Sequence, residues 1–131
     1  MITHLGISNV GPASSMSLDF GPRLNLFTGD NGLGKSFLLD IVWWAMTRHW
    51  PAELNPKLTA GKMALPTDKT RKAEIDFSFS AASKPMQTKS RFMPRLQGWT
   101  AKQGRPANPG LVFYAMADGS FAVWDPARNY W

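Results

Sequence analysis

The chain has 131 residues, 44% of them hydrophobic and 18% charged, and a formal net charge of +6. This composition excludes a disordered chain and predicts about one domain with one buried core. There is no cysteine, which excludes disulfides and thiolate chemistry. No stretch approaches the ~20 apolar residues that span a bilayer. We therefore expect a soluble, cytoplasmic protein without a membrane partner.

The positive charge is concentrated in the middle of the chain. Residues 51–110 have eleven basic and four acidic side chains, whereas basic and acidic side chains balance in residues 1–50. Such a segment suits a polyanionic partner. A solvated, lysine-rich loop has the same composition and is the alternative interpretation.

The chain opens with two short runs, THLGISNV and SMSLDF, in which apolar and polar residues alternate. Alternation with period two predicts half-buried strands, and the turn residues between the runs predict an antiparallel pair. The next run, LNLF at residues 24–27, is short and mostly apolar. We expect it to form a buried strand that ends at Thr28-Gly29.

A helix is predicted after this strand. Residues 35–49 contain neither proline nor glycine, and their apolar side chains cover nearly every face of a helix, which indicates packing on most sides. Arg48 and His49 suit the negative end of the helix dipole, and Pro51 makes continuation unfavourable.

The remaining chain is expected to be a basic, loop-rich insertion at 51–110, followed by a hairpin. Within the insertion, KAEIDFSFS alternates strictly and predicts a strand near 72–80. Prolines interrupt the rest, including residues 81–110. LVFYAMADGSFAVWD has two β-rich runs about Asp118-Gly119, which predicts a β-hairpin at 111–125.

One segment satisfies the phosphate-binding pattern G-x-x-x-x-G-K-[ST] at every fixed position. It consists of Gly29, Asp30, Asn31, Gly32, Leu33, Gly34, Lys35 and Ser36. Glycines allow backbone N–H groups to turn around the α- and β-phosphates, and the following helix directs its positive end at the same anion. Lys35 is expected to reach the β- and γ-phosphates, and the Ser36 hydroxyl to bind Mg²⁺. A glycine turn with an N-capping Ser36 is the alternative.

Four segments around this loop match a known family. They are I-x-N at residues 7–9, LDF at the end of the second strand, LNLFTGDNGLGKS, and LLDIVWWAM on the helix. Residues 1–50 thereby resemble the N-terminal ATPase lobe of SMC and RecF-like ABC-type ATPases, which are often labelled AAA family ATPases. The Asn31-Gly32 pair and the late position of the loop argue against a small P-loop kinase.

The resemblance implies an α/β fold of the P-loop NTPase class. Antiparallel β strands would flank a Walker A strand, loop and helix, in an incomplete sheet. The domain is expected to be single and partial over 1–131, with its nucleotide-binding core at 1–50. The resemblance also implies the cofactors ATP and Mg²⁺, a second ATPase lobe as partner, and a link to DNA maintenance or repair.

The same resemblance implies that phosphate contacts come from the residues at the end of the loop, namely Asn31, Gly32, Gly34, Lys35 and Ser36. Family members often place an aromatic and basic residues after the first strand, where this chain has Val10-Gly11-Pro12. Contacts to adenine and ribose are therefore left unassigned, and no base-reading motif separates ATP from GTP.

Hydrolysis in this family needs an acidic residue at the end of an apolar strand and then a glutamate. Asp118 and Asp125 end apolar runs, but Gly119 and Pro126 follow them, so both are expected to be turn residues. Asp40 lies one helical turn after Ser36 and is expected to be a buried or capping carboxylate.

His4 and His49 have no recognisable partners in the sequence and are expected to be a strand residue and a helix-end residue. We therefore assign no catalytic residue. The resulting hypothesis is an ATP-binding lobe that does not hydrolyse ATP alone. Either the chain ends before its acidic strand, or its other half is supplied in trans.

Two other functions remain open. A nucleic-acid-binding module would use basic side chains against phosphates and Phe92 or Trp99 for base stacking. Its basic residues would be Lys84, Lys89, Arg91, Arg95, Lys102 and Arg105. A small nucleotide or metabolite kinase would use Arg71, Arg91 and Arg95 as a lid, but lacks a recognisable acid to activate an acceptor.

Overall fold

The computed structural model describes residues 1–30, 32, 34–80, 85–100 and 110–129. The chain forms two compact units. Unit 1 comprises Met1–Lys35 and Ala64–Arg105, and unit 2 comprises Ser36–Met63 and Pro106–Trp131.

Unit 1 contains a five-stranded antiparallel sheet in the order β2-β1-β3-β4-β5. The strands are β1 Ile2–Ser8, β2 Ser15–Asp19, β3 Glu74–Phe79, β4 Met86–Met93 and β5 Gly98–Trp99. Leu5 pairs with Phe77 and Ile7 with Ile75, and all four side chains are buried. Apolar residues at every second position place one face of each strand in the core. The predicted opening pair and the predicted strand near 72–80 are confirmed.

Residues 24–27 do not form the predicted buried strand. Leu24 and Leu26 are 85% and 82% exposed. The Asn25 side chain closes a local turn, because it accepts from Gly21 N at 2.7 Å and donates to Gly21 O at 3.2 Å. A buried strand needs neighbours for its N–H and C=O groups, and no described strand pairs with this segment. The prediction of a buried strand at residues 24–27, which the expected Walker A arrangement places before the loop, is therefore wrong.

The segment 81–110 also differs from the predicted loop, because β4 lies within it. β4 pairs with β3 from Glu74 opposite Arg91 to Phe79 opposite Met86. Its buried side chains are the polar Thr88 and Ser90, and the Ser90 hydroxyl donates to the Thr100 carbonyl. Polar residues at the inward positions remove the apolar alternation from the sequence, which explains the missed strand.

Asn9 joins the end of β1 to the loop that precedes β3. Its backbone has a left-handed φ of 56°. Its side-chain nitrogen donates to the carbonyls of Asp68 at 2.8 Å and Arg71 at 3.1 Å, while its side-chain oxygen accepts from Asp68 N at 2.9 Å. These three bonds fix the loop at residues 68–71 beside the first strand. The resemblance to I-x-N therefore falls on a residue that positions a loop.

Unit 2 is built from one long helix and a hairpin. Its elements are α1 Lys35–Thr47, whose first residue belongs to unit 1, α2 Pro51–Leu54, β6 Val112–Ala115, β7 Phe121–Trp124 and α3 Pro126–Asn129. The predicted helix is confirmed, although it ends at Thr47. Arg48 has a left-handed φ of 65° and donates its backbone N–H to the Trp44 carbonyl at 2.7 Å, which closes the helix end.

The hairpin predicted about Asp118-Gly119 is confirmed and packs against α1 through one face. Trp43, Val112, Ala122 and Trp124 form a buried cluster, with Met46 and Tyr114 at its margin. The opposite face of the hairpin exposes Phe113, Phe121 and Val123. Alternate residues of β6 and β7 therefore divide between a core against the helix and an exposed apolar surface.

In the part of the chain that the structure describes, no helix has both the length and the apolar character needed to cross a membrane.

Candidate functional site

The candidate site is the glycine-containing loop at residues 29–36. Gly29, Gly32 and Gly34 have φ values of 148°, 86° and 82°, a conformation that side-chain-bearing residues rarely adopt. A Cβ on Gly34 would lie 2.9 Å from Pro12 Cγ, whereas a Cβ on Gly32 would meet no atom within 4 Å. The loop is thus packed tightly on the Pro12 side and open at Gly32. Asn31 and Leu33 lie outside the described residues.

Lys35 directs its ammonium group back over the loop. Its Nζ donates to the carbonyls of Gly29 and Asp30, at 2.6 Å in each case. Both acceptors are backbone atoms of the loop, so the positive charge of Lys35 lies at the loop itself. This is the segment for which the sequence predicts phosphate binding. The segment after β1, which lacks the family's aromatic and basic residues, still reaches the loop through Pro12.

Ser36 is exposed, and Asp40 follows it one helical turn later on α1. The Tyr114 hydroxyl donates to Asp40 Oδ1 at 2.9 Å and also lies 3.5 Å from the Ser36 carbonyl oxygen. Burial raises the pKa of the Asp40 carboxyl, and the bond from Tyr114 opposes part of that rise. Burial and the Asp40 carboxylate raise the pKa of Tyr114 above its usual value, so the phenol remains a hydrogen-bond donor. Sequence reasoning missed this pair because 74 positions separate its members.

Asp118 and Asp125, the two aspartates at the ends of apolar runs, accept hydrogen bonds from residues close to them in the chain. Asp118 Oδ1 accepts from the backbone N–H and the hydroxyl of Ser120, and these bonds lower the pKa of Asp118. Asp125 Oδ1 accepts from Ala127 N at 3.0 Å at the start of α3. Asp118 therefore lies in a turn, as expected, whereas Asp125 lies at the start of a short helix instead of in a turn.

The structure gives both histidines partners that the sequence did not reveal. His4 Nδ1 lies 2.6 Å from Asp19 Oδ1, and His4 Nε2 lies 3.5 Å from Asp76 Oδ2. His4 is a strand residue of β1, as expected, and neighbouring strands bring distant carboxylates to its two sides. His49 lies 3.8 Å from Glu53, and its ring contacts Trp124 in a tilted arrangement with a centroid distance of 5.0 Å.

A second feature of unit 1 is a cavity of about 340 Å³, here called the basic pocket. Three cationic side chains and an apolar wall line it. The cationic residues are Lys69, Arg71 and Lys72, and the apolar lining includes Leu65, Ala73 and Phe92. The Phe92 ring meets Trp99 edge-on at 5.5 Å. Lys69 and Lys72 were not among the predicted nucleic-acid residues, since their convergence depends on the loop that Asn9 anchors.

Several of the predicted nucleic-acid residues have other partners. Arg91 Nε lies 2.7 Å and Lys89 Nζ 3.5 Å from Glu74. Arg91 is the main cause of the lowered pKa of Glu74. The Trp99 indole donates to the Ala64 carbonyl at 2.8 Å. Arg95 is exposed, and Lys84, Lys102 and Arg105 lie outside the described residues.

The glycines and Lys35 of the loop suit a phosphate group. A metal ion would be held there mainly through that phosphate. No group of three or more histidine or acidic side chains among the described residues is arranged to hold a metal ion. Mg²⁺ commonly takes one or two protein ligands and completes its shell with phosphate oxygens and water. Ser36, the last residue of the loop, has a hydroxyl that would serve as one such protein ligand.

The chain matches a protein family over a segment much longer than the loop motif. The family model described as AAA domain matches residues 4–104, which include most of β1, the strands β2 to β5, the loop and α1. No curated protein matches the chain. Members of this family use a nucleotide and a metal. The chain therefore belongs to the AAA domain family and is a nucleotide-binding, ATPase-like module of the P-loop NTPase class.

Proposed function

We propose that the chain is the ATP-binding lobe of an SMC or RecF-like ABC-type ATPase, with its site at residues 29–36. The observation that carries the proposal is the Lys35 ammonium, which lies 2.6 Å from the carbonyls of Gly29 and Asp30. A triphosphate offers this ammonium charged oxygens in place of neutral carbonyls, which adds the attraction between opposite charges to each hydrogen bond. Phosphate binding is therefore favoured where the side chain already lies.

The other parts of the loop have separate tasks. Gly32 and Gly34 have left-handed backbones, which allow successive N–H groups to face the phosphates. The start of α1 adds the positive end of a helix of 13 residues. Ser36 provides a hydroxyl for Mg²⁺, which when bound would neutralise charge on the phosphate oxygens.

Hydrolysis is proposed to need residues from a second ATPase lobe or from a further segment. Asp118 accepts from Ser120 in its own turn and Asp125 accepts from Ala127 at the start of α3, and Asp40 accepts from Tyr114. Each of these three carboxylates thus has a neighbouring donor, and the proposal assigns none of them as the water-activating base. We propose that the assembled ATPase acts in DNA maintenance or repair, in the cytoplasm.

Equilibrium binding of a fluorescent ATP analogue, with phosphate release measured in parallel, tests this proposal. We expect saturable binding that unlabelled ATP displaces, that is weaker in EDTA, and that is accompanied by turnover no faster than the buffer blank. Absence of binding would contradict the assignment of the site. Rapid hydrolysis by the chain alone, lost in Lys35→Ala, would contradict the need for another lobe.

The basic pocket favours a second candidate function, the binding of single-stranded nucleic acid. Lys69, Arg71 and Lys72 converge on a cavity that is also lined by Phe92. Cations beside an aromatic face are the combination that binds phosphates and stacks bases. DNA-linked ATPases use both kinds of surface, so the two functions are compatible.

Titration with labelled single-stranded DNA at two salt concentrations tests this second function. We expect binding that weakens as salt rises, because phosphate contacts release counterions. The double variant Lys69→Ala with Lys72→Ala should weaken binding and flatten the salt dependence. Lys57→Ala, at an exposed lysine outside the pocket, is the control. Binding that is absent, or indifferent to salt, would exclude this function.

A further inference from the structure

The hairpin brings a tyrosine hydroxyl to the first turn of α1. Tyr114 lies on β6 opposite Ala122, and its ring packs on Trp43 with a centroid distance of 6.0 Å. From this position the hydroxyl donates to Asp40 Oδ1 at 2.9 Å and lies 3.5 Å from the Ser36 carbonyl. One phenol thus contacts both ends of the helical turn that begins with Ser36.

We infer that Tyr114 is a positioning residue of the nucleotide site, which holds the first turn of α1 so that the Ser36 hydroxyl is available to the metal. The inference rests on the proposed function at residues 29–36. It adds a residue of β6, a hairpin strand outside the loop and outside residues 4–104 that match the family.

The position of Asp40 explains why this contact matters to Ser36. Side chains four residues apart lie on the same face of a helix, so Asp40 is the carboxylate nearest along α1 to the Ser36 hydroxyl. The Tyr114 hydroxyl contacts the Ser36 carbonyl oxygen at one end of this turn and the Asp40 carboxylate at the other. It thereby holds the backbone that carries the Ser36 hydroxyl, and outer partners of this kind orient a metal ligand.

The hairpin is anchored well enough to perform this task. Val112 and Trp124, which pair across β6 and β7, are 8% and 1% exposed. They belong to the same buried cluster as Trp43 on α1. Because the packing of the ring does not use the hydroxyl, Tyr114→Phe removes the hydrogen bonds and leaves the ring in place.

Nucleotide affinity measured across a Mg²⁺ titration, and again in EDTA, tests the inference on the full chain. For Tyr114→Phe we expect the Mg²⁺ concentration for half-maximal enhancement of ATP binding to rise about tenfold, a typical effect of losing support around a metal ligand. Affinity in EDTA should stay within about twofold of the wild type, since phosphate contacts are untouched. Asp40→Asn should also raise the Mg²⁺ requirement, because it removes the charged partner of Tyr114.

Phe121→Leu is the matched control, since Phe121 lies on the exposed face of the same hairpin. It should leave both affinities unchanged, and thermal melting checks that each variant is folded. An unchanged Mg²⁺ requirement in Tyr114→Phe would overturn the inference while leaving the proposed function intact. Equal losses with Mg²⁺ and with EDTA would also overturn it, because they indicate a merely structural role. Failure of the wild type to bind ATP would instead refute the proposed function.

Discussion

Lys35→Ala is expected to lower the affinity of the chain for Mg–ATP by about 100-fold. The ammonium contacts the loop at 2.6 Å through two carbonyls, and a triphosphate would replace these neutral acceptors by charged ones. Loss of charge-assisted contacts worth about 3 kcal/mol corresponds to roughly two orders of magnitude in the dissociation constant. Displacement of a fluorescent nucleotide by Mg–ATP measures the change.

Lys62→Ala is the control for this loss of charge. Lys62 is exposed and lies in unit 2, outside the loop. Its replacement lowers the net charge of the chain by the same amount, so a general electrostatic effect would weaken both variants equally. An affinity of Lys35→Ala within threefold of the wild type would contradict the assignment of Lys35 to the phosphates.

Trp124→Ala is expected to destabilise the protein by about 3–5 kcal/mol, the range for removing a large aromatic side chain from a core. Trp124 is 1% exposed, belongs to the buried cluster of unit 2 with Trp43, and contacts the His49 ring at a centroid distance of 5.0 Å. Its removal would leave a cavity in the cluster through which the hairpin packs on α1. Urea unfolding followed by far-ultraviolet circular dichroism measures the free energy of unfolding.

Val123→Ala tests the other face of the same strand. Val123 is 43% exposed, and substitutions of exposed residues usually change stability by less than about 0.5 kcal/mol. A large difference between the two variants is expected, because neighbouring residues of a strand point in opposite directions. Equal effects would show that the hairpin is not anchored through the Trp124 face.

Local patterns predicted those elements in which one face is apolar. The alternation in THLGISNV, SMSLDF and KAEIDFSFS identified β1, β2 and β3 because their inward residues, such as Leu5 and Phe77, are buried and hydrophobic. The hairpin was equally clear, since Asp118-Gly119 supplies its turn and Trp124 its inward face. The helix at α1 followed from a long run without proline or glycine.

The same reasoning failed where buried residues are polar or where apolar residues are exposed. β4 buries Thr88 and Ser90, so its sequence shows no hydrophobic period. Conversely, Leu24 and Leu26 look like strand residues but are exposed, because apolar composition alone supplies no neighbouring strand. A strand needs a partner for its backbone as well as apolar side chains.

The sequence predicted those parts of the candidate site whose contacts are made between residues close together in the chain. Spacing alone identified the loop from Gly29 to Ser36, because every contact that defines the motif is made within a few residues. The contacts that tune the site come from distant positions, such as Pro12 against Gly34 and Tyr114 against Asp40. Such pairs depend on which strands and helices pack together, and the sequence pattern does not contain that information.

Titration of the ¹⁵N-labelled chain with Mg–ATP, followed residue by residue by NMR, tests the central claim most directly. If the loop binds the phosphates, the largest changes in amide chemical shift will occur at residues 29–36, with Gly32, Gly34 and Lys35 among them. These changes should saturate and should disappear in Lys35→Ala. Largest changes in the basic pocket, at residues 65–73 and at Phe92, or no saturable changes at all, would contradict the assignment of the nucleotide site.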